Sequence, residues 1–183
     1  MYCQIPVRFK DTWFKFNRWF GLILFSNKEQ KRQVPDTSAY KKLAFECVKN
    51  PYKLKKPVMV KREPPRVKSW VKTYAKVLTY LYLKCYPLAN LIFSNLRLNV
   101  FQNGEDANWF YRSLSYGHDQ RILCLPRAVF IASTSKEFKK SGVLFIGIFP
   151  PMRNLHAWVI EGDTHCDICD IIWTSYRPIY AKY

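Results

Sequence analysis

The chain has 183 residues, 49% apolar and 17% aromatic, with a formal net charge of +17. That length suits one ordinary domain or two small ones, and the apolar share excludes wholesale disorder. The six cysteines (Cys3, Cys47, Cys85, Cys124, Cys166, Cys169) are scattered, which excludes a dense disulfide scaffold; with no secretory signal pattern at the start, they predict reduced thiols in a cytoplasm.

The charge is uneven. Residues 1–76 hold 19 Lys and Arg against 5 Asp and Glu, a net of +14, whereas residues 77–183 hold 11 against 8, a net of +3. The basic first part is either a solvated face or a surface for an acidic peptide, nucleic acid or an anionic membrane. Residues 1–26 alternate imperfectly: Gln4–Phe9 and Thr12–Leu24 predict short strands in a meander. Asn27–Pro35 is a polar connection, and Asp36 caps a predicted helix ending near Asn50-Pro51. Lys53–Pro65 is rich in Lys and Pro and reads as a linker. The organisation expected is a basic N-terminal domain over 1–60, a linker over 61–68 and a second domain over 69–183.

Residues 69–93 are the most apolar stretch, with Trp70, Tyr74, Val77, Leu78, Leu81 and Cys85 at helical spacing. Lys72, Lys76, Lys84 and Pro87 interrupt it, and no run reaches the ~18–20 apolar residues that a membrane span needs. Two helices are predicted, the second over Leu88–Leu96. Asn99–Gly117 reads as a loop or irregular helix with a turn at Gly104-Glu105-Asp106. A helix then begins at Cys124 and runs to about Lys139-Lys140, with Gly142 past its end. Val143–Phe149 is a buried strand by its apolar run. A last strand lies in Ile171–Tyr176 or Ile179–Lys182, and Pro178 disfavours a single unbroken one.

The chemistry concentrates in two places. In Cys124-Leu125-Pro126-Arg127-Ala128, Pro126 is tolerated in the first helical turn, and Cys124 lies at the positive end of the helix dipole, which favours thiolate. In Asn154–Asp167, His156, Trp158 and Ile160 alternate with Leu155, Ala157 and Val159 as a strand does, and Glu161-Gly162-Asp163 is turn chemistry with Gly162 free to take φ > 0. A Glu161-Gly162 loop sets His156 opposite Asp167, a carboxylate that would orient the imidazole. Cys124, His156 and Asp167 then read as nucleophile, base and orienter. Asp170 rivals Asp167. Gln120 and the Cys124 backbone N–H are candidate oxyanion donors.

The Cys-Leu-Pro-Arg-Ala motif, followed some thirty residues later by His-Ala-Trp-Val and then an Asp, resembles the transglutaminase-like cysteine peptidases of lasso-peptide biosynthesis, the B proteins, including the microcin-processing ones. The resemblance covers about 63–183. It implies an α+β fold: a papain/transglutaminase-like catalytic domain with helices packed on a small antiparallel sheet, preceded by a small β-rich, winged-helix-like domain that holds a leader peptide by strand addition. It implies a Cys124–His156–Asp167 triad that removes the leader from a ribosomal precursor. The implied partners are that leader peptide and an asparagine-synthetase-like cyclase that closes the macrolactam. Family members commonly carry His-Ala-Trp-Val-Glu-Val and then Asn-Asp; here Ile160-Glu161 stands in the middle and the run from His to Asp is one residue shorter. ATP dependence is implied for some such peptidases, yet this sequence has no Gly-x-x-x-x-Gly-Lys-[Ser/Thr] cradle and no other recognisable cofactor motif.

Three rivals remain. Cys166-x-x-Cys169 could be a zinc or redox pair, but no second pair completes four ligands, and no metal site is expected. His165, on the His156 face, is either a supporting group or exposed; His118 has no evident partner in the sequence. The same triad could serve another transglutaminase-like acyl transfer. A non-enzymatic basic module for peptide or nucleic acid is the third class, its aromatic residues able to stack on bases; nucleic acid is the less favoured partner.

Overall fold

The computed structural model describes residues 2–4, 7–9, 12–17, 22–26, 63–114, 123–149, 154–166 and 177–182. These form a mixed α+β fold. Strands β1 (Tyr2–Gln4), β5 (Gly142–Phe149), β6 (Asn154–Glu161), β7 (Thr164–His165) and β8 (Arg177–Lys182) make an antiparallel sheet in the order β1-β8-β5-β6-β7. Strands β2 (Val7–Phe9), β3 (Thr12–Asn17) and β4 (Leu22–Ser26) make the expected meander.

The first residues join the same architecture as the last. β1 pairs with β8 through Cys3↔Ala181, and the Phe16 ring of β3 lies 5.3 Å from that of Tyr180 in β8. Phe14 and Phe16 are both buried in the main core. The expected helix after Asp36 and the linker up to residue 62 lie outside the described residues.

Five helices are described: α1 (Ser69–Lys84), α2 (Tyr86–Phe93), α3 (Gly104–Ser113), α4 (Cys124–Thr134) and α5 (Lys136–Ser141). Helix α1 buries Val71, Ala75, Leu78, Thr79 and Tyr82, one stripe at helical spacing. The face expected from the sequence is therefore rotated: Trp70 and Val77 are exposed. Ala75 and Thr79 are small enough to let the helix approach its neighbours, and the Thr79 hydroxyl meets the Tyr111 hydroxyl at 2.6 Å.

Helix α3 takes up the helical alternative expected for Asn99–Gly117, and Gly104-Glu105-Asp106 is its first turn rather than a separate one. The Asn103 side chain accepts the Asp106 N–H at 2.9 Å, Glu105 and Asp106 sit in the first turn and Arg112 in the last, an arrangement that suits the helix dipole. The predicted long helix from Cys124 breaks at Ser135. Thr134 bonds back to the Phe130 carbonyl at 2.6 Å. Ser135 is extended, bridges Phe101, and accepts the Phe138 N–H at 3.3 Å as the cap of α5. The end of α4 is thus shared with segment 96–101, whose Leu98 and Val100 amides donate to Ser133 and Thr134 carbonyls at 2.6 and 2.7 Å.

Phe130, on α4, is the hub of the core. Its ring lies 5.2–6.1 Å from those of Tyr74, Phe101, Phe110 and Tyr111. Helix α4 covers one sheet face through Leu144, Ile146, Ala157 and Val159. The opposite face carries Val143, Phe145, Trp158 and Ile160, also buried. Strand β8 keeps Pro178 by a bulge: Ile146 pairs with Tyr180 but Gly147 with Pro178, so the proline sits where the ladder is already irregular.

Candidate active site

Helix α4 starts at Cys124, with Leu123 as its cap at φ −91°, ψ 3° and no side-chain capping bond. The first intrahelical bond runs from the Arg127 N–H to the Leu123 carbonyl at 3.0 Å. The N–H groups of Cys124 and Leu125 therefore have no acceptor within the helix. Pro126 occupies a place where its missing N–H removes nothing.

Strand β6 brings the second group. It pairs along its whole length with β5, His156 opposite Gly147. On its other side, the Val159 carbonyl accepts the Cys166 N–H at 2.9 Å. Backbone groups two residues apart point to the same edge, so the Ala157 N–H also points outward, short of where β7 begins to pair. The Cys124 sulfur receives that N–H, and its side chain is hydrogen-bonded to His156. Cys124 and His156 are thus brought together by a helix start docked on a strand edge.

Electrostatics separates this thiol from its neighbours. Cys124 is only 8% exposed. Burial works against the thiolate, but the bond to His156, the His156 charge, the Ala157 N–H and the Arg127 charge outweigh it and hold the thiol below its usual range. At Cys166, more deeply buried at 1% exposure, the direction is opposite: burial and then the Glu161 charge push the thiol well above its usual range. His156 is half-buried and its ring stacks on Trp158 at 5.9 Å and 17°, while Trp158 stacks on Phe145 at 5.5 Å and 21°. This tier of rings fixes the plane of the imidazole.

Two contributors escaped the sequence reading. Arg127 is buried at 1% exposure; its i+3 spacing from Cys124 was the available signal. The Ala157 N–H carries no signal in residue type. Trp158 was visible as a neighbour of His156 on the same strand face.

The turn departs from expectation. Glu161 pairs with Thr164 and Ile160 with His165, so the loop is Gly162-Asp163, with Gly162 at φ 58°. The Glu161-Gly162 loop that would have set His156 opposite Asp167 is not formed. Asp167, Asp170, Gln120, His118 and Cys169 lie outside the described residues. His165 is buried at 1% exposure, not exposed. Glu161 stays in the strand because its carboxylate is used: Oε2 accepts the Gly104 N–H at 2.7 Å, at the first residue of α3. Burial raises the Glu161 carboxyl, an effect eased by the Ser135 side chain and that amide.

Among the described residues no group of three or more His, Cys, Asp or Glu is placed to hold a metal ion, and no helix is long and apolar enough to cross a membrane. Comparison of the chain with protein-family models, with curated proteins and with solved structures finds no match in any of the three.

Proposed function

We propose that this chain is a cysteine peptidase of the papain/transglutaminase-like kind, acting in the cytoplasm to remove the leader from a ribosomal lasso-peptide precursor of the microcin type. The observation that carries this reading is the Cys124 thiol at the start of α4, held below its usual range by His156, the Ala157 N–H and Arg127.

In this reading the Cys124 thiolate attacks the scissile carbonyl, and His156, having taken the thiol proton, returns it to the leaving amine. The Cys124 N–H at the helix start, with Gln120, receives the oxyanion. Water then cleaves the thioester, and His156 takes its proton. Asp167 orients His156, with Asp170 as the alternative. The product is a core peptide with a free N-terminus, the substrate of an ATP-consuming cyclase. The meander β2–β3–β4 supports a role for the first 60 residues in holding the leader: among the described residues β2 and β4 each have one strand neighbour, which suits addition of a strand. The +14 charge of residues 1–76 would favour an acidic leader.

The test is co-expression of precursor and cyclase with wild-type protein, Cys124→Ala or His156→Ala, read by mass spectrometry of the peptide. Leader removal by the wild type alone supports the reading. Equal processing in all three overturns it, and a released leader whose C-terminal carbonyl carries an amine rather than the hydroxyl from water identifies acyl transfer instead.

A further inference from the structure

Helices α1 and α2 meet at Cys85 and are locked together by rings: Tyr82 against Tyr86 at 5.6 Å and against Phe93 at 6.4 Å. Their inner faces are buried. The outer face of α1 mixes lysines with Trp70, Val77, Tyr80 and Leu83, and that of α2 is not polar, as the outer face of a surface helix ordinarily is. On α2 every exposed residue is apolar: Pro87, Leu88, Leu91 and Ile92. Leu91 is 69% exposed, and Tyr80, near the end of α1, 63%. Leu83 and, at the far end of α1, Trp70 extend the surface. Singly exposed apolar residues need no explanation, but a set concentrated on one helical hairpin marks an interaction surface.

The charge around it decides the partner. Between Glu63 and Glu105 the sequence contains no carboxylate, while Lys68, Lys72, Lys76 and Lys84 are all exposed along α1. A second copy of the chain would set these lysines against one another. Nucleic acid would engage the lysines and leave Leu88, Leu91 and Ile92 in water. A bilayer surface containing acidic phospholipid satisfies both: the lysines meet lipid phosphates, the leucines and isoleucine enter the acyl boundary, and Trp70 and Tyr80 rest at headgroup level.

We propose that the α1–α2 hairpin is a peripheral membrane-docking surface for anionic lipid. The prow at Leu83–Ile92 inserts to a depth of roughly 5–10 Å, and the body of the protein stays outside the bilayer. Docking does not involve Cys124, so Cys124→Ala docks as the wild type does.

The test is sedimentation of the full chain with vesicles of phosphatidylcholine alone or mixed with phosphatidylglycerol. The expected result is binding to the mixed vesicles only. Binding should weaken as salt rises from ~0.1 to ~1 M and the Debye length falls from about 10 to about 3 Å. The triple variant Leu88→Ser, Leu91→Ser, Ile92→Ser should bind about tenfold or more weakly, since it removes the inserted apolar area. Lys72→Gln, Lys76→Gln, Lys84→Gln changes only exposed side chains and should lose the preference for phosphatidylglycerol. Absence of binding to mixed vesicles, equal binding by the serine variant, or a wild-type dimer that the serine variant converts to monomer would each overturn the proposal.

Discussion

The backbone N–H of Ala157 points at the sulfur of Cys124. Strand β6 therefore acts on the Cys124 thiol twice, once through this amide and once through the side chain of His156. The amide is fixed by the sheet and cannot turn away, so the sulfur keeps one donor whatever the protonation of the imidazole. Such a thiolate is stabilised without being fully neutralised, which is what a nucleophile requires.

The two buried thiols should differ in reactivity. Cys124 is held low and Cys166 is pushed high. Brief treatment with iodoacetamide near neutral pH, followed by peptide mapping, should label Cys124 well before Cys166. Equal labelling would mean that burial alone governs both.

If His156 is the base of the proposed peptidase, removing it should leave a folded but slow protein. His156→Gln keeps a polar side chain on Trp158, and loss of general acid–base transfer is expected to slow leader removal by about 10²–10⁴-fold, with an unchanged melting temperature. Trp158→Leu should act less severely on rate but also lower stability, because it removes the ring that orients His156 and stacks on Phe145.

Glu161 predicts a pH dependence of stability. Its folded-state carboxyl is raised from 4.5, chiefly by burial. The folded state then holds a proton that the unfolded state releases. Its contribution is fully present below the unfolded value and is lost as pH rises through the folded one. Denaturant unfolding should show wild-type stability falling above pH 4.5 relative to Glu161→Gln, whose amide still accepts the Gly104 N–H without a charge. Parallel profiles would contradict this.

Packing gives two stability predictions. Phe130 is fully buried at the hub of four other rings, and Phe130→Ala should cost about 3–5 kcal/mol in urea unfolding. At Gly104 a methyl group would lie 2.7 Å from the Cys166 sulfur and 2.8 Å from Glu161 Oε1, so Gly104→Ala should cost about 1–3 kcal/mol.

Local signals carried much of the fold. The meander before residue 27, the two helices before residue 94, the Cys124 helix and the strands at Gly142–Phe149 and Asn154–Glu161 all follow from apolar period, proline position and Gly162. Departures occur where a distant group intervenes. Gly104 resembles a turn residue, yet Asn103 caps it into a helix and Glu161, far along the chain, takes its N–H. That same bond keeps Glu161 in the strand and shifts the hairpin loop. Ser135 leaves the helix because Phe101 pairs beside it. Cys124 and His156 were legible as types and spacing, but Arg127 and the Ala157 amide emerge only once α4 meets the edge of β6.

The most direct test of the central claim is the pH dependence of Cys124 alkylation in the wild type and in His156→Ala. The account predicts a wild-type midpoint below the ordinary thiol range of about 8.5 that moves upward when the imidazole is removed, as burial is then less fully offset. A wild-type midpoint at or above that range, or one unmoved by the substitution, would contradict the assignment of Cys124 and His156 as nucleophile and base.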